Sequence, residues 1–130
     1  MKRVAIVGCG FVADLYMRSF AAHPEIEVVS CYDRDEARLE AFSKYWNVTA
    51  AADLETVFTE IADTGLILNL TNPRSHYDVN KGALEAGCHV FCEKPLAMSH
   101  EDAQSLHAIA RASGLQLGSA PSSVLGEAAQ

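Results

Sequence analysis

Lys2-Arg3-Val4-Ala5-Ile6-Val7-Gly8-Cys9-Gly10-Phe11-Val12-Ala13 opens the chain, and Val28-Val29-Ser30-Cys31-Tyr32-Asp33 follows it after a helical pattern. Val4 to Val7 is an apolar, β-branched run of the kind that makes a buried strand. It ends in a turn where Gly8 and Gly10 lack a Cβ, so the backbone can bend sharply and sit directly against a bulky ligand. The segment that follows reads as a helix whose first N–H groups have no partner within the helix and point back at the turn, an arrangement suited to a diphosphate. Ala13, in the third small position, permits close packing of helix on strand. Asp33 lies 20 residues past Ala13 at the end of the second strand, the spacing expected of a carboxylate that accepts hydrogen bonds from a ribose diol. Gly8, Gly10, Phe11, Val12, Ala13 and Asp33 are therefore candidate dinucleotide-binding residues. Asp33 favours NAD, because its carboxylate repels a 2′-phosphate; Arg34 beside it offers that phosphate a partner and leaves NADP possible.

Composition narrows the partners. The 130 residues are the length of one domain, 49% apolar and 21% charged, the balance of ordinary globular material. A net charge of -7 argues against nucleic acid or an anionic membrane, either of which calls for a basic face. The apolar run before Cys9 is about half the length of a secretory h-region and is better explained as a first strand. No stretch reaches the ~20 apolar residues of a membrane span, so the expected setting is the cytoplasm. Cys9, Cys31, Cys88 and Cys92 form no Cys-x-x-Cys, and no histidine pair has zinc-ligand spacing, so no metal site is expected. Cys9 in the glycine turn reads as a small space-filling residue rather than a redox group.

Onward from Asp33, the pattern alternates. The first helix is expected over Phe11–Ala22 with Val12, Tyr16 and Phe20 on one face and Leu15 beside them, and a second over Arg34–Tyr45 with Ala41, Phe42 and Tyr45 facing inward. A short apolar passage around Val48 predicts a third strand. Asp53 caps a helix carrying Leu54, Val57, Phe58 and Ile61, Leu66–Leu70 is a strand, and a helix from Arg74 to Ala86 stops at Gly87. Cys88–Cys92 is the next strand, Ser99 caps a helix that Gly114 ends, and Leu115–Leu117 is the last strand. His107 falls on the apolar side of that last helix and, like His89 within its strand, is expected in the core. Alternation of this kind predicts an α/β fold, a doubly wound parallel sheet of about six strands with helices on both faces. Its ligand crevice lies beyond the carboxyl ends of the strands, where Gly8–Ala13, Asp33, Thr71–Pro73 and Glu93–Pro95 converge.

Glu93-Lys94-Pro95 follows the fifth expected strand and sets a lysine at the mouth of that crevice, where an ammonium can hydrogen-bond a cofactor ribose or a substrate hydroxyl whose proton moves with a hydride. These residues resemble the Gfo/Idh/MocA oxidoreductases. The resemblance covers residues 1–120 and rests on Gly8-x-Gly10-x-x-Ala13 with Asp33, on Thr71 with His76 five residues later, and most specifically on Glu93-Lys94-Pro95. It implies a Rossmann domain that binds NAD or NADP, with Thr71, Asn72, His76, Glu93 and Lys94 as candidates at the cofactor and Lys94 as the catalytic residue; for His76, packing at the N-terminus of its helix is the competing reading. It also implies hydride transfer to or from a hydroxyl-bearing carbon of a sugar or polyol-like substrate. The family usually has proline directly after the threonine; here Asn72 intervenes and Pro73 comes one position late. Family members also carry a second domain with an Asp-x-x-x-His pair, and that pattern is absent from these 130 residues. Residues 121–130 accordingly read as the start of a connection to a second domain. A stand-alone dinucleotide sensor is the alternative, and it leaves Lys94 unexplained.

Overall fold

The computed structural model describes residues 2–62 and 65–119. The connection expected over 121–130 lies outside them. Five strands, β1 (Lys2–Val7), β2 (Ile26–Tyr32), β3 (Gly65–Asn69), β4 (His89–Cys92) and β5 (Leu117–Ser119), form one parallel sheet in the order β2-β1-β3-β4-β5. Five helices connect or flank them: α1 (Phe11–Phe20), α2 (Glu36–Trp46), α3 (Leu54–Ile61), α4 (Pro73–Glu85) and α5 (His100–Ser113). The chain winds outward from β1 to β2, then crosses to the other side of β1 to lay down β3, β4 and β5. The carboxyl ends of β1 and β3 therefore meet at the switch point of the topology, where such sheets leave a crevice.

Alternation along the strands divides the core in two. Ala5, Val7, Ile67, Val90 and Cys92 face α3, α4 and α5 through Val57, Ile61, Ala83, Leu84 and Leu106. Val4, Ile6, Cys31 and Leu68 face α1 and α2 through Ala13 and Phe42. Burial of both faces explains why β1 and β3 are nearly continuous apolar runs. α1 presents Ala13, Tyr16, Met17 and Phe20 to the sheet, an i, i+3, i+4, i+7 stripe. Val12 and Leu15, expected inside, are 38% and 46% exposed. In α2 the inward residues are Leu39, Phe42 and Trp46, whereas Tyr45 is 74% exposed. His107 is also exposed, since one helical step of ~100° carries it away from the buried side marked by Leu106 and Ala110.

Among the described residues the sheet has five strands rather than six, because the Val48 passage is too short to extend. Asn47 ends α2 in the left-handed conformation and Asp53 caps α3. The residues between them make one parallel bridge, Cys31 to Ala50. Similarly, β5 begins at Leu117 and not at Leu115, because the N–H of Leu115 is spent on the Ala110 carbonyl behind the left-handed Gly114 cap. Caps read from the sequence are in place elsewhere: Asp53 accepts from the Thr56 N–H and Ser99 from the Asp102 N–H. Asn72 caps α4 with Pro73 in its first turn, so the late proline starts the helix instead of merely breaking the strand. The second helix begins at Glu36, behind an Asp35 cap, two residues later than Arg34. Among the described residues no helix is long and apolar enough to cross a membrane.

Candidate functional site: a crevice at the switch point

Gly8 stands where β1 and β3 part. Its φ is +99°, and a Cβ there would lie 2.6 Å from the Leu70 carbonyl carbon and oxygen and 2.7 Å from the Thr71 nitrogen. Only a residue without a Cβ lets the two loops close together. Hydrogen bonds lock the junction: the Gly8 N–H donates to the Tyr32 carbonyl at 2.8 Å and the Leu70 N–H to the Val7 carbonyl at 2.7 Å. Gly10 has a different reason. It lines the crevice, and a Cβ on it would meet no atom within 4 Å beyond its own residue and its chain neighbours. Gly10 also begins α1 without a side-chain cap, which leaves the N–H groups of the first turn to a ligand.

Asp33 is 9% exposed at the end of β2. One carboxylate oxygen accepts from the Cys9 N–H at 2.9 Å and the other from the Asp35 N–H at 2.8 Å, and Arg38 Nη1 approaches to 3.8 Å. Each oxygen retains a further lone pair for a ribose hydroxyl. The same contacts tie the carboxylate to the glycine turn, so the two candidate binding elements are rigidly joined. The crevice has a volume of about 530 Å³, within the ~300–1,000 Å³ typical of small-molecule and cofactor sites. Gly8, Gly10, Asp33, Arg34, Thr71 and Asn72 line it as expected, and Asp35, Arg38, Ser75 and Asp78 do so unannounced. The Asx pattern at Asp35 and Asn72 could have flagged the helix starts that bring Arg38 and Ser75 in; Asp78 carries no signal in the sequence. The glycine turn, Asp33 and the open space at Gly10 fit a dinucleotide.

The remaining candidates stand around the crevice rather than in its lining. Ala13 is fully buried against the sheet, and Phe11 is 73% exposed at the head of α1. Lys94 is exposed and Glu93 half-buried on the loop after β4. That loop is joined to the crevice by the Glu93 N–H, which donates to the Asn69 carbonyl at 3.3 Å. His76 is 1% exposed. Its Nε2 lies 2.7 Å from the Thr71 carbonyl oxygen and its Nδ1 faces that of Pro95. Each ring nitrogen thus faces a backbone carbonyl, the tautomer deciding which of them receives the ring N–H, and the buried imidazole stands as a cross-tie between the two loops.

The four thiols are free and buried. The Cys9 thiol, whose Sγ donates to the Tyr32 carbonyl at 3.6 Å, is held above its ordinary range by the neighbouring Cys31 thiol and by burial, and burial pushes Cys92 up to about 11. Neither is a nucleophile near neutral pH.

Residues 2–120 match the model of an oxidoreductase family with an NAD-binding Rossmann fold, Gfo/Idh/MocA. The chain belongs to this family. It is 35% identical over 115 residues to D-glucoside 3-dehydrogenase of Escherichia coli K12, covering 86% of this chain and 32% of the relative. Over 115 residues it is 30% identical to a myo-inositol dehydrogenase of Streptomyces leeuwenhoekii, covering 88% and 34%. Among solved structures, biliverdin reductase of Synechocystis with biliverdin and NADP+ superposes with a TM-score of 0.82 at 28% identity, covering 90% of this chain and 37% of that one. The chain thus spans about a third of the length of these relatives, and it is their NAD(P)-binding part.

Proposed function

We propose that this domain holds NAD, in preference to NADP, for an oxidoreductase that moves a hydride between the nicotinamide and a hydroxyl-bearing carbon of a sugar or polyol-like substrate. The substrate class rests on relatives that act on a D-glucoside and on myo-inositol. The cofactor supplies the hydride-carrying ring. Phe11 and Val12 N–H groups take the diphosphate at the head of α1, Ala13 keeps α1 close to the sheet, and Asp33 takes the adenosine ribose. Thr71, Asn72 and Glu93 border the other half of the molecule. Arg34 and Arg38 lie on the ribose side, so discrimination against a 2′-phosphate depends on the nearer carboxylate. Free buried thiols suit a reducing compartment, in keeping with a cytoplasmic enzyme.

Lys94 is the residue proposed for the chemistry. The observation that supports it is the buried His76 ring, which stands between the Pro95 and Thr71 carbonyls and so sets the Lys94–Pro95 loop beside the edge of the crevice. An ammonium there donates to the substrate oxygen and steadies the charge that grows on it when the hydroxyl proton departs to a group outside this domain. Holding two reactants in register accounts for ~7–11 kcal/mol of a barrier in favourable cases. The test is Lys94→Ala in the complete enzyme. Turnover is expected to fall by about 10²-fold or more while cofactor affinity stays nearly unchanged. Turnover close to that of the parent would remove the lysine from the reaction.

A further inference from the structure

Lys94 makes no hydrogen bond or ion pair among the described residues. Its neighbours are all fastened. Tyr16 on α1 donates its hydroxyl to Glu93 Oε2 at 2.6 Å, His76 on α4 faces the Pro95 carbonyl, and Asn80 on α4 donates from Nδ2 to the Leu96 carbonyl at 3.1 Å. Two helices on opposite faces of the sheet thus grip the loop from both sides, around one residue left free. Asn80 is itself held, since Asn69 Nδ2 donates to its Oδ1 at 2.8 Å, and Asn69, His76 and Asn80 are almost wholly buried. The Asn69 and Asn80 amides are paired with each other and with the backbone of the surrounding loops, and a buried polar pair satisfied in this way rigidifies what it holds.

We propose that Tyr16, His76 and Asn80 are positioning residues for Lys94, fixing the loop on both sides so that the free ammonium is presented to the cofactor in one place. The inference rests on the role proposed for Lys94. Bonds that served only to hold the fold would have no reason to cluster on residues 93, 95 and 96 and to spare 94. The Tyr16–Glu93 bond has the length of a charge-assisted O–H···O⁻ contact, ~2.5–2.7 Å, about twice as strong as a neutral one. Burial, and then Glu93 itself, push the phenol up, so the donor keeps its proton across the neutral range.

The chain itself can be tested. Its lysines are Lys2, Lys44, Lys81 and Lys94, so ¹³C-dimethylation gives a small set of resolvable signals, with that of Lys94 assigned by its loss in Lys94→Arg. Saturating NADH is expected to shift the Lys94 signal and to leave Lys44 and Lys81 in place. Tyr16→Phe removes a single oxygen; NADH affinity should stay within about twofold, while the cofactor-induced shift of Lys94 falls by about half or more, as follows when a supporting contact is lost. Asn80→Ala gives the same loss from the other side of the loop. If Lys94 shifts in the parent and shifts equally in both folded variants, the positioning role is overturned and the role of Lys94 stands. If Lys94 does not respond in the NADH-saturated parent, the placement of Lys94 at the cofactor falls and this inference with it. Loss of NADH affinity in Tyr16→Phe by tenfold or more would also overturn it, because the bond would then be serving binding.

Discussion

Gly8 and Gly10 are two residues apart and should fail in opposite ways when each is changed to alanine. At Gly8 the new Cβ would be 2.6 Å from backbone atoms of Leu70, in a residue with φ at +99°. Backbone cannot yield as a flexible side chain would. A left-handed conformation costs an L-residue ~1–2 kcal/mol, and overpacking a closed junction adds ~1–3 kcal/mol. Together these put Gly8→Ala about 2–5 kcal/mol below the parent, a large share of the ~5–15 kcal/mol of an ordinary domain. At Gly10 the backbone is extended with φ at -93°, which any residue adopts, and no atom beyond its chain neighbours stands within 4 Å of the added methyl. Its stability should lie within about 1 kcal/mol of the parent, because the reduced freedom of the unfolded chain, ~0.4–1 kcal/mol, is opposed by the poorer N-cap that alanine makes at the start of α1, a cost of similar size, ~1 kcal/mol.

Cofactor binding should reverse that order of harm. The Gly10 methyl would occupy space in the crevice that the diphosphate needs, and NADH affinity is expected to drop by about tenfold or more, at least 1.4 kcal/mol. Urea melts followed by the fluorescence of Trp46 measure the first quantity, and NADH titration by calorimetry the second. A Gly10→Ala chain that is as stable as the parent and binds NADH equally well would refute the reasoning. So would a Gly8→Ala chain of unchanged stability.

Removing the carboxylate of Asp33 in Asp33→Ala should weaken NADH by about tenfold or more and NADPH by less, whereas equal affinities of the unmutated chain for the two cofactors would contradict the role given to Asp33. Because the Tyr16 phenol is raised above its ordinary 10.0 by burial and by Glu93, its contribution to stability is complete below about pH 10 and is lost as pH climbs toward the folded value. Alkaline melts should therefore show a decline that Tyr16→Phe lacks, and an ultraviolet titration of the four tyrosines should lose its latest step in that variant. Asn69→Leu takes the acceptor from the Thr71 N–H and hydroxyl and the donor from Asn80; the orphaned groups should cost about 3 kcal/mol in a urea melt, and a loss below about 0.5 kcal/mol would mean that water replaces the network.

What could be read from the sequence was set locally. Gly8 is dictated by its own φ and by a strand end, Asp33 by the close of the next strand, and the caps at Asp53, Ser99 and Gly114 by one helical turn each. Contacts between distant segments left no trace. Tyr16 meets Glu93 across 77 positions, and neither residue's pattern announces the other. Arg38 and Asp78 reach the crevice only because α2 and α4 are laid on opposite faces of the sheet beside the switch point. The inward side of α2 also depends on a distant contact. Tyr45 and Trp46 are adjacent and similarly apolar, and what decides between them is the bond from the Trp46 indole N–H to Asp14 on α1, at 2.8 Å. His76 could be singled out by its spacing from Thr71, but its place between two loops depends on the Pro95 carbonyl, which the topology supplies.

A crystal structure of the chain with NADH tests the central claim most directly. The account predicts the diphosphate over Gly10 at the head of α1, the adenosine ribose within hydrogen-bonding distance of Asp33, and the nicotinamide on the side of Thr71 and Lys94. A cofactor bound in the reverse sense, with its adenine toward Lys94 and the nicotinamide beside Asp33 and Arg38, would contradict it.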